Sequence, residues 1–302
     1  MSAPRVPMIA SKMPASKISP IKMQRMRGKA SLVIGKSCID AARNANGEQS
    51  ELKNLYQSGN AKLRFPERDG PFFEAVMINS AGGSTGGDLL EWQVHLEAQT
   101  KAIITTQACE KIYAALDGET ADIHVDLQLD NGSQLWWLPQ ETILFNQSAL
   151  NRKISVKMTD HCQLLMVESV IFGRQLMGEV VASGSLHDQW QIYANDRLIH
   201  MEALHLDGNI AQKLAFPVFM NDNLAMANLV FIDDDLKMPS GENEERFNAL
   251  KNIIEPLGGI SCWNGKLLAR LIDKNSYFLR KRLIKVINLL TNEAGVPKVW
   301  AI

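Results

Sequence analysis

Leu90-Glu91-Trp92-Gln93-Val94-His95-Leu96-Glu97 alternates apolar and polar side chains without a break. Successive side chains of a strand point to opposite faces, so Leu90, Trp92, Val94 and Leu96 share one side and the polar four share the other. A helix would scatter that pattern; the stretch reads as a strand with one wet face. Ile123, Val125, Leu127 and Leu129 repeat it against Asp122, His124, Asp126 and Gln128. Asp130-Asn131-Gly132 then supplies residues that accept positive φ, which predicts a tight hairpin turn, with a second hairpin following through residues 135–138.

Outward from this core, alternating or β-branched runs lie at residues 30–34, 73–78, 102–106, 154–158, 164–171, 190–193, 198–201 and 229–232. Period two therefore dominates from about residue 30 to 235, which predicts half-buried antiparallel strands. No crossover helices separate them, which excludes a Rossmann or barrel-type α/β enzyme. The period changes after Ser240-Gly241. Glu242, Glu244 and Glu245 suit a helix N-terminus, and Phe247, Leu250, Ile254 and Leu257 recur at helical spacing before Pro256 and Gly258-Gly259 stop them. Asn264-Gly265 predicts a hairpin over 260–272. A second helix begins near Ser276, with Leu279, Leu283, Val286, Ile287 and Leu290 on one side and Arg280, Lys281, Arg282 and Lys285 around the rest. That cationic face could meet an acidic partner or simply be solvated.

The 302 residues are 46% apolar and 22% charged, enough to bury a sizeable core, and the net charge of −1 supplies no field that would gather nucleic acid. Residues 1–30 hold seven basic side chains and no acid, so the remainder is net acidic. With Pro4, Pro7, Pro14 and Pro20, the first 29 residues are expected to be a flexible basic tail and 30–302 a single domain. The chain contains no 18-residue apolar run and no signal-peptide core, so a cytoplasmic protein without membrane contact is expected. Cys38, Cys109, Cys162 and Cys262 are widely spaced and are expected to be reduced, buried thiols.

Local motifs for chemistry are sparse. Gly82-Gly83-Ser84-Thr85-Gly86-Gly87-Asp88 lacks the lysine and the following helix of a phosphate loop, and reads as a tight strand connection that lets another backbone approach closely. Thr105, Thr106 and Gln107 place polar groups at the end of an apolar strand. The six histidines contain no chelating pair, Asp233-Asp234-Asp235 is a lone acidic turn, and no nucleophile elbow occurs. No catalytic residue and no tight metal site is expected.

Five segments in order resemble the UreD (also UreH) family of urease accessory proteins: Asn79-Ser80-Ala81-Gly82-Gly83 with Thr85-Gly86-Gly87-Asp88; Thr105-Thr106-Gln107-Ala108 with Lys111-Ile112-Tyr113; Trp137-Leu138-Pro139-Gln140-Glu141-Thr142-Ile143 with Phe145; Gly173-Arg174 with Gly178-Glu179; and Pro297-Lys298-Val299-Trp300. Together they cover roughly residues 79–300. Ser84, Ala114 and Lys298 depart from the family's usual apolar, basic and arginine residues, and residues 1–29 match nothing in it.

The resemblance implies a mainly β, elongated, solenoid-like or sandwich-like structure, antiparallel or mixed, with two α-helices in the C-terminal region. It implies a maturation chaperone rather than an enzyme, joining UreF and the GTPase UreG to apo-urease so that nickel reaches the dinickel centre. It also implies a hydrated internal passage for nickel in transit, with no stably bound cofactor. The motif-borne carboxylates Asp88, Glu141 and Glu179 are the candidate lining, with Thr106 and Gln107 as neutral neighbours; Asp88 and Glu179 could instead hold turn amides or Arg174. The alternative is an independent β-rich ligand-binding module or hydrolase, with a cleft drawn from Trp136, Trp137 and Trp190; the first two must face opposite sides of one strand.

Overall fold

The computed structural model describes residues 25–37, 49–67, 69–116, 118–233, 236, 242–255, 257–291 and 295–300. The chain enters through β1 (Arg27–Lys36), β2 (Ser50–Ser58), β3 (Ala61–Arg64) and β4 (Phe73–Asn79). It then winds in coils that cross two sheets. The first coil comprises β5 (Leu89–Leu96), β6 (Lys101–Thr106) and β7 (Glu110–Ile112); the second comprises β8 (Ala121–Leu129), β9 (Gln134–Leu138) and β10 (Thr142–Leu144); the third comprises β11 (Ala149–Met158) and β12 (Gln163–Phe172). The hairpin β13 (Ser183–Ala194) and β14 (Arg197–Asn209) follows, then α1 (Ile210–Leu214), β15 (Ala225–Ile232), α2 (Glu242–Ile254), β16 (Gly258–Trp263), β17 (Lys266–Asp273) and α3 (Ser276–Leu290).

One sheet runs β14-β13-β11-β8-β5-β1-β2, the other β16-β17-β15-β12-β9-β6-β4-β3, with β10 and β7 extending it alongside β12. In-register stacking puts like positions of successive coils on one line. Trp92, Val125, Ile154 and Trp190 form one inward ladder and Ile104, Trp137, Met166 and Val230 form another, all buried between the sheets. Each such side chain contributes about 1.5–3 kcal/mol of burial. The opposite face of the second sheet, with Ile103, Trp136 and Leu165, is covered by Leu250, Ile254, Leu279, Leu283 and Ile287 of the two long helices. Asn275 caps α3, its side chain accepting from the Phe278 amide.

The mainly β architecture with mixed sheets and two late helices is as expected, and so is the hairpin at Asn264-Gly265, where φ is 47° and 70°. The strand sense is different. β1, β5, β8, β11 and β13 pair in parallel, as do β4, β6, β9 and β12. Alternation reports that one face is buried and says nothing about the direction of the neighbouring strand. Each strand here returns through the opposite sheet, so parallel neighbours need no helix between them.

The hairpins expected at residues 130–132 and through 135–138 are absent for the same reason: β8 and β9 lie in different sheets. The turn instead stacks on those of adjacent coils. Gln99 N donates to Asn131 O, Gly132 N to Asp160 O and Gln163 N to Ser133 O, at 2.9–3.0 Å. The tail boundary also shifts, because Arg27, Gly28 and Lys29 belong to β1. Residues 1–24, Cys38, Asp234, Asp235, Ser240 and Gly241 lie outside the described residues. Cys162 is buried, whereas Cys109 and Cys262 are half-buried.

Candidate functional site

The turn at residues 82–88 is built for close approach. A Cβ on Gly83, whose φ is +151°, would lie 2.5 Å from Tyr113 Cε2 and 2.6 Å from Lys111 O; one on Gly86 would lie 2.6 Å from Glu119 O. Asp88 closes this turn. Its buried carboxylate accepts from Met26 N at 2.8 Å and Thr85 N at 2.9 Å, so both oxygens hold backbone. Ser84, one of the departures from the family pattern, donates to Glu110, as does Asn79 Nδ2. Burial raises the Glu110 pKa against both of these bonds.

Three of the expected residues converge where the second sheet bends between β6 and β7 and between β9 and β10. Gln140 N donates to Thr106 Oγ1 at 2.9 Å, and its side-chain amide donates to the carbonyls of Thr106 and Gln107. Next to it, Glu141 takes Arg280 of α3 in a two-pronged ion pair, and Gln140 Oε1 accepts a further bond from the same guanidinium. Cys109 Sγ donates to Glu141 Oε2 at 3.4 Å, and burial first, then Glu141, pushes the thiol pKa up to about 11. Glu141, Cys109 and Arg280 line a cleft of about 410 Å³ together with Ile143, Leu176 and Tyr277. Of the basic residues on α3, Arg280 is thus spent on Glu141, and Arg282 on the carbonyls of Ile253, Ile254, Leu257 and Ile272.

Glu179 lies apart from these. Its carboxylate accepts from Arg174 Nε at 2.9 Å and from the amides of Arg174 and Asn146, and the Arg174 bond holds its pKa below the usual range. Asp88 and Glu179 therefore brace loops, while Thr106, Gln107 and Glu141 stand together.

The interior holds a second cluster that the motifs did not reveal. Arg152, Glu168 and Asp188 are all buried between the sheets. Arg152 donates to Asp188 through Nε at 2.9 Å and Nη2 at 2.6 Å, and through Nη1 to Glu168 and Thr142. Trp137 Nε1 donates to Glu168 at 2.7 Å and Trp190 Nε1 to Asp188 at 3.2 Å. One guanidinium thus faces two carboxylates. Burial raises the Glu168 pKa to about 7, with Asp188 adding to the shift and Arg152 and Trp137 opposing it. A signal was available: Arg152 sits between Leu150 and Ile154, and Asp188 between Leu186 and Trp190, at inward positions of alternating strands. Glu168 is the lone charge in an apolar strand.

Polar groups reach this cluster from two sides. Asn228 lies directly across from Glu168 on β15, is buried, and has an Oδ1 with no hydrogen-bond partner. It borders a second cleft, of about 460 Å³, with Trp190, His200, Glu202 and Glu255. Toward the other side, Arg152 reaches Thr142, the chain neighbour of Glu141 in the first cleft. The cluster is therefore flanked by Asn228 at the second cleft on one side and by Thr142, next in the chain to Glu141, on the other. Trp136, Trp137 and Trp190 are all buried, and Trp190 is the one of the three that borders the second cleft.

Among the described residues, no three His, Cys, Asp or Glu side chains gather to hold a metal ion, and no helix is long and apolar enough to cross a membrane. The profile of the family described as UreD urease accessory protein matches residues 34–301. The chain is 39% identical over 281 residues to the urease accessory protein UreD of Agrobacterium fabrum, covering 93% of each chain. It is 41% identical over 254 residues to that of Rhizobium leguminosarum bv. trifolii, covering 83% of this chain and 90% of the relative. It is 38% identical over 289 residues to the urease accessory protein UreD 1 of Brucella ovis, covering 94% and 97%.

Proposed function

Because the chain belongs to the UreD family of urease accessory proteins, whose role lies in urease maturation, we infer that it works with UreF and the GTPase UreG to deliver nickel to apo-urease in the cytoplasm. Its part is that of a conduit and scaffold, with no catalysis of its own. The observation that carries this reading is the buried Arg152–Glu168–Asp188 cluster, where two carboxylates share one guanidinium. Burying an unmatched carboxylate is costly, and a sequence meant only to fold is better served by apolar packing there. A cation in transit supplies the missing positive charge, and a shared, partly neutralised carboxylate pair binds weakly enough to release it.

In this reading the route runs from the Asn228 cleft past Glu168 and Asp188 to Thr142 and out at Glu141, with Thr106 and Gln107 behind that mouth. Asp88 and Glu179, expected among the lining residues, act on turn backbone and have no part in the route.

The test is complementation of a urease operon lacking its UreD gene, with urease activity and bound nickel as readouts. Glu168→Gln combined with Asp188→Asn keeps the shape and removes the anionic character. It should lower both readouts at least tenfold while UreF still co-purifies. Full activation by the double variant would overturn the route, and failure of the wild-type chain to complement would overturn the delivery role itself.

A further inference from the structure

One end of the molecule carries apolar side chains that the fold leaves in water. Leu176 is 102% exposed, Met177 74% and Val180 68%, all on the short segment between β12 and β13, and Tyr277 and Phe278 at the start of α3 are about half exposed. Scattered exposure is ordinary, but this segment is held in place. Arg174 pairs with Glu179 across it, Gly178 closes it in a left-handed cap with φ at 67°, and Gln175 Nε2 donates to Lys274 O at 2.6 Å. Leu176 and Tyr277 thereby become opposite lips of the 410 Å³ cleft above Glu141 and Arg280. Rigid presentation of apolar side chains to solvent costs stability unless a partner covers them.

Charge narrows what that partner is. Glu141, which lines this cleft, is already paired with Arg280, and Glu179, on the segment that carries Leu176, with Arg174. Tyr277, Lys281 and Lys285 follow one another at four-residue spacing along the exposed face of α3, with Lys281 Nζ 4.3 Å from the Tyr277 ring centroid. Lys274 adds a further exposed cation beside the lip. The rim is net basic around a concave apolar centre. Concavity fits a protruding side chain rather than a flat bilayer, and a second copy docking face to face would bring basic rim against basic rim.

We propose that this lip-and-cleft end is a docking surface for a partner protein that inserts an apolar anchor side chain flanked by Asp or Glu. It rests on the delivery reading only in drawing the partner from the urease machinery. There it has a consequence: the docked partner seals the Glu141 mouth and sets its own carboxylates against it, so a cation leaving the cleft passes to protein and not to bulk water.

The experiment measures binding of the immobilised full chain to purified UreF and to purified apo-urease from the same operon, at two ionic strengths. Leu176→Asp with Val180→Asp, and separately Lys281→Glu with Lys285→Glu, should each weaken binding to the same one of these proteins at least tenfold. Wild-type binding should weaken with salt, and Tyr56→Asp on β2, remote in the sheet order, should leave it unchanged. Wild-type affinity in both double variants, each showing an unchanged melting temperature, would overturn the proposal while leaving the delivery reading intact. Concentration-dependent self-association that the lip variant abolishes would assign the surface to a second copy, and loss of binding to anionic vesicles would assign it to lipid; either result overturns the proposal. A wild-type chain that binds neither protein removes the delivery reading and this surface together.

Discussion

Two arginine–carboxylate clusters, one at the first cleft and one between the sheets, differ in how charge is matched. At the cleft, Arg280 meets Glu141 one to one, with water at hand and Gln140 completing the guanidinium's bonds. In the interior, Arg152 meets Glu168 and Asp188 one to two, with all three side chains buried between the sheets. The first arrangement satisfies itself. The second leaves negative charge in a dry place, and its protonation is unsettled near neutrality, Glu168 having a pKa of about 7. The balance of charge, more than the number of bonds, separates a structural ion pair from one poised to accept something.

The sharpest break of that comparison is to remove each arginine. Arg152→Met leaves two buried carboxylates unpaired and should cost about 3–5 kcal/mol in urea unfolding. Arg280→Met lets Glu141 rehydrate in its cleft and should cost roughly 1.5 kcal/mol. Equal losses would erase the distinction.

A pH series sharpens it further. The folded chain keeps a proton on Glu168 up to about 7, whereas an unfolded glutamate releases it near its ordinary value of 4.5. The folded state therefore binds more protons in that window, and this group's contribution to stability falls as pH rises through it. Glu168→Gln has no such titration, so the wild type should lose stability relative to it between about pH 4.5 and about 7. A wild-type-minus-variant difference that stays level with pH would place the unmatched charge elsewhere.

The smallest effect belongs to Cys109, whose thiol is held up to about 11 by burial and then by Glu141. Its alkylation at mildly alkaline pH, followed by peptide mass spectrometry, should be slow, and Glu141→Gln should speed it several-fold. An unchanged rate would mean that burial alone protects the thiol, and the cleft pair would lose its electrostatic reach.

How much of this was legible beforehand depended on range. The inward and outward faces of β5 and β8 were readable because alternation is written within eight or nine residues. The start near Ser276 and the apolar stripe of α3 were readable for the same reason. Residues 130–132 read as a turn but not as a change of sheet, since glycine and asparagine mark a reversal without saying which sheet receives the chain. Glu141, Thr106 and Gln107 could be named from motifs. The interior cluster escaped because Arg152 is 16 residues from Glu168 and 36 from Asp188, and each looks like an isolated misplaced charge on its own strand.

The sequence by itself determined which side chains turn inward, where the two long helices lie, and the family to which the chain belongs, because propensity, period and motif are local properties. Tertiary structure alone decided that the strands of successive coils run parallel, that turns stack into a corner, and that three lone charges become one buried cluster. Those outcomes depend on register between distant strands, and register is chosen by the sum of all inward contacts rather than by any segment alone.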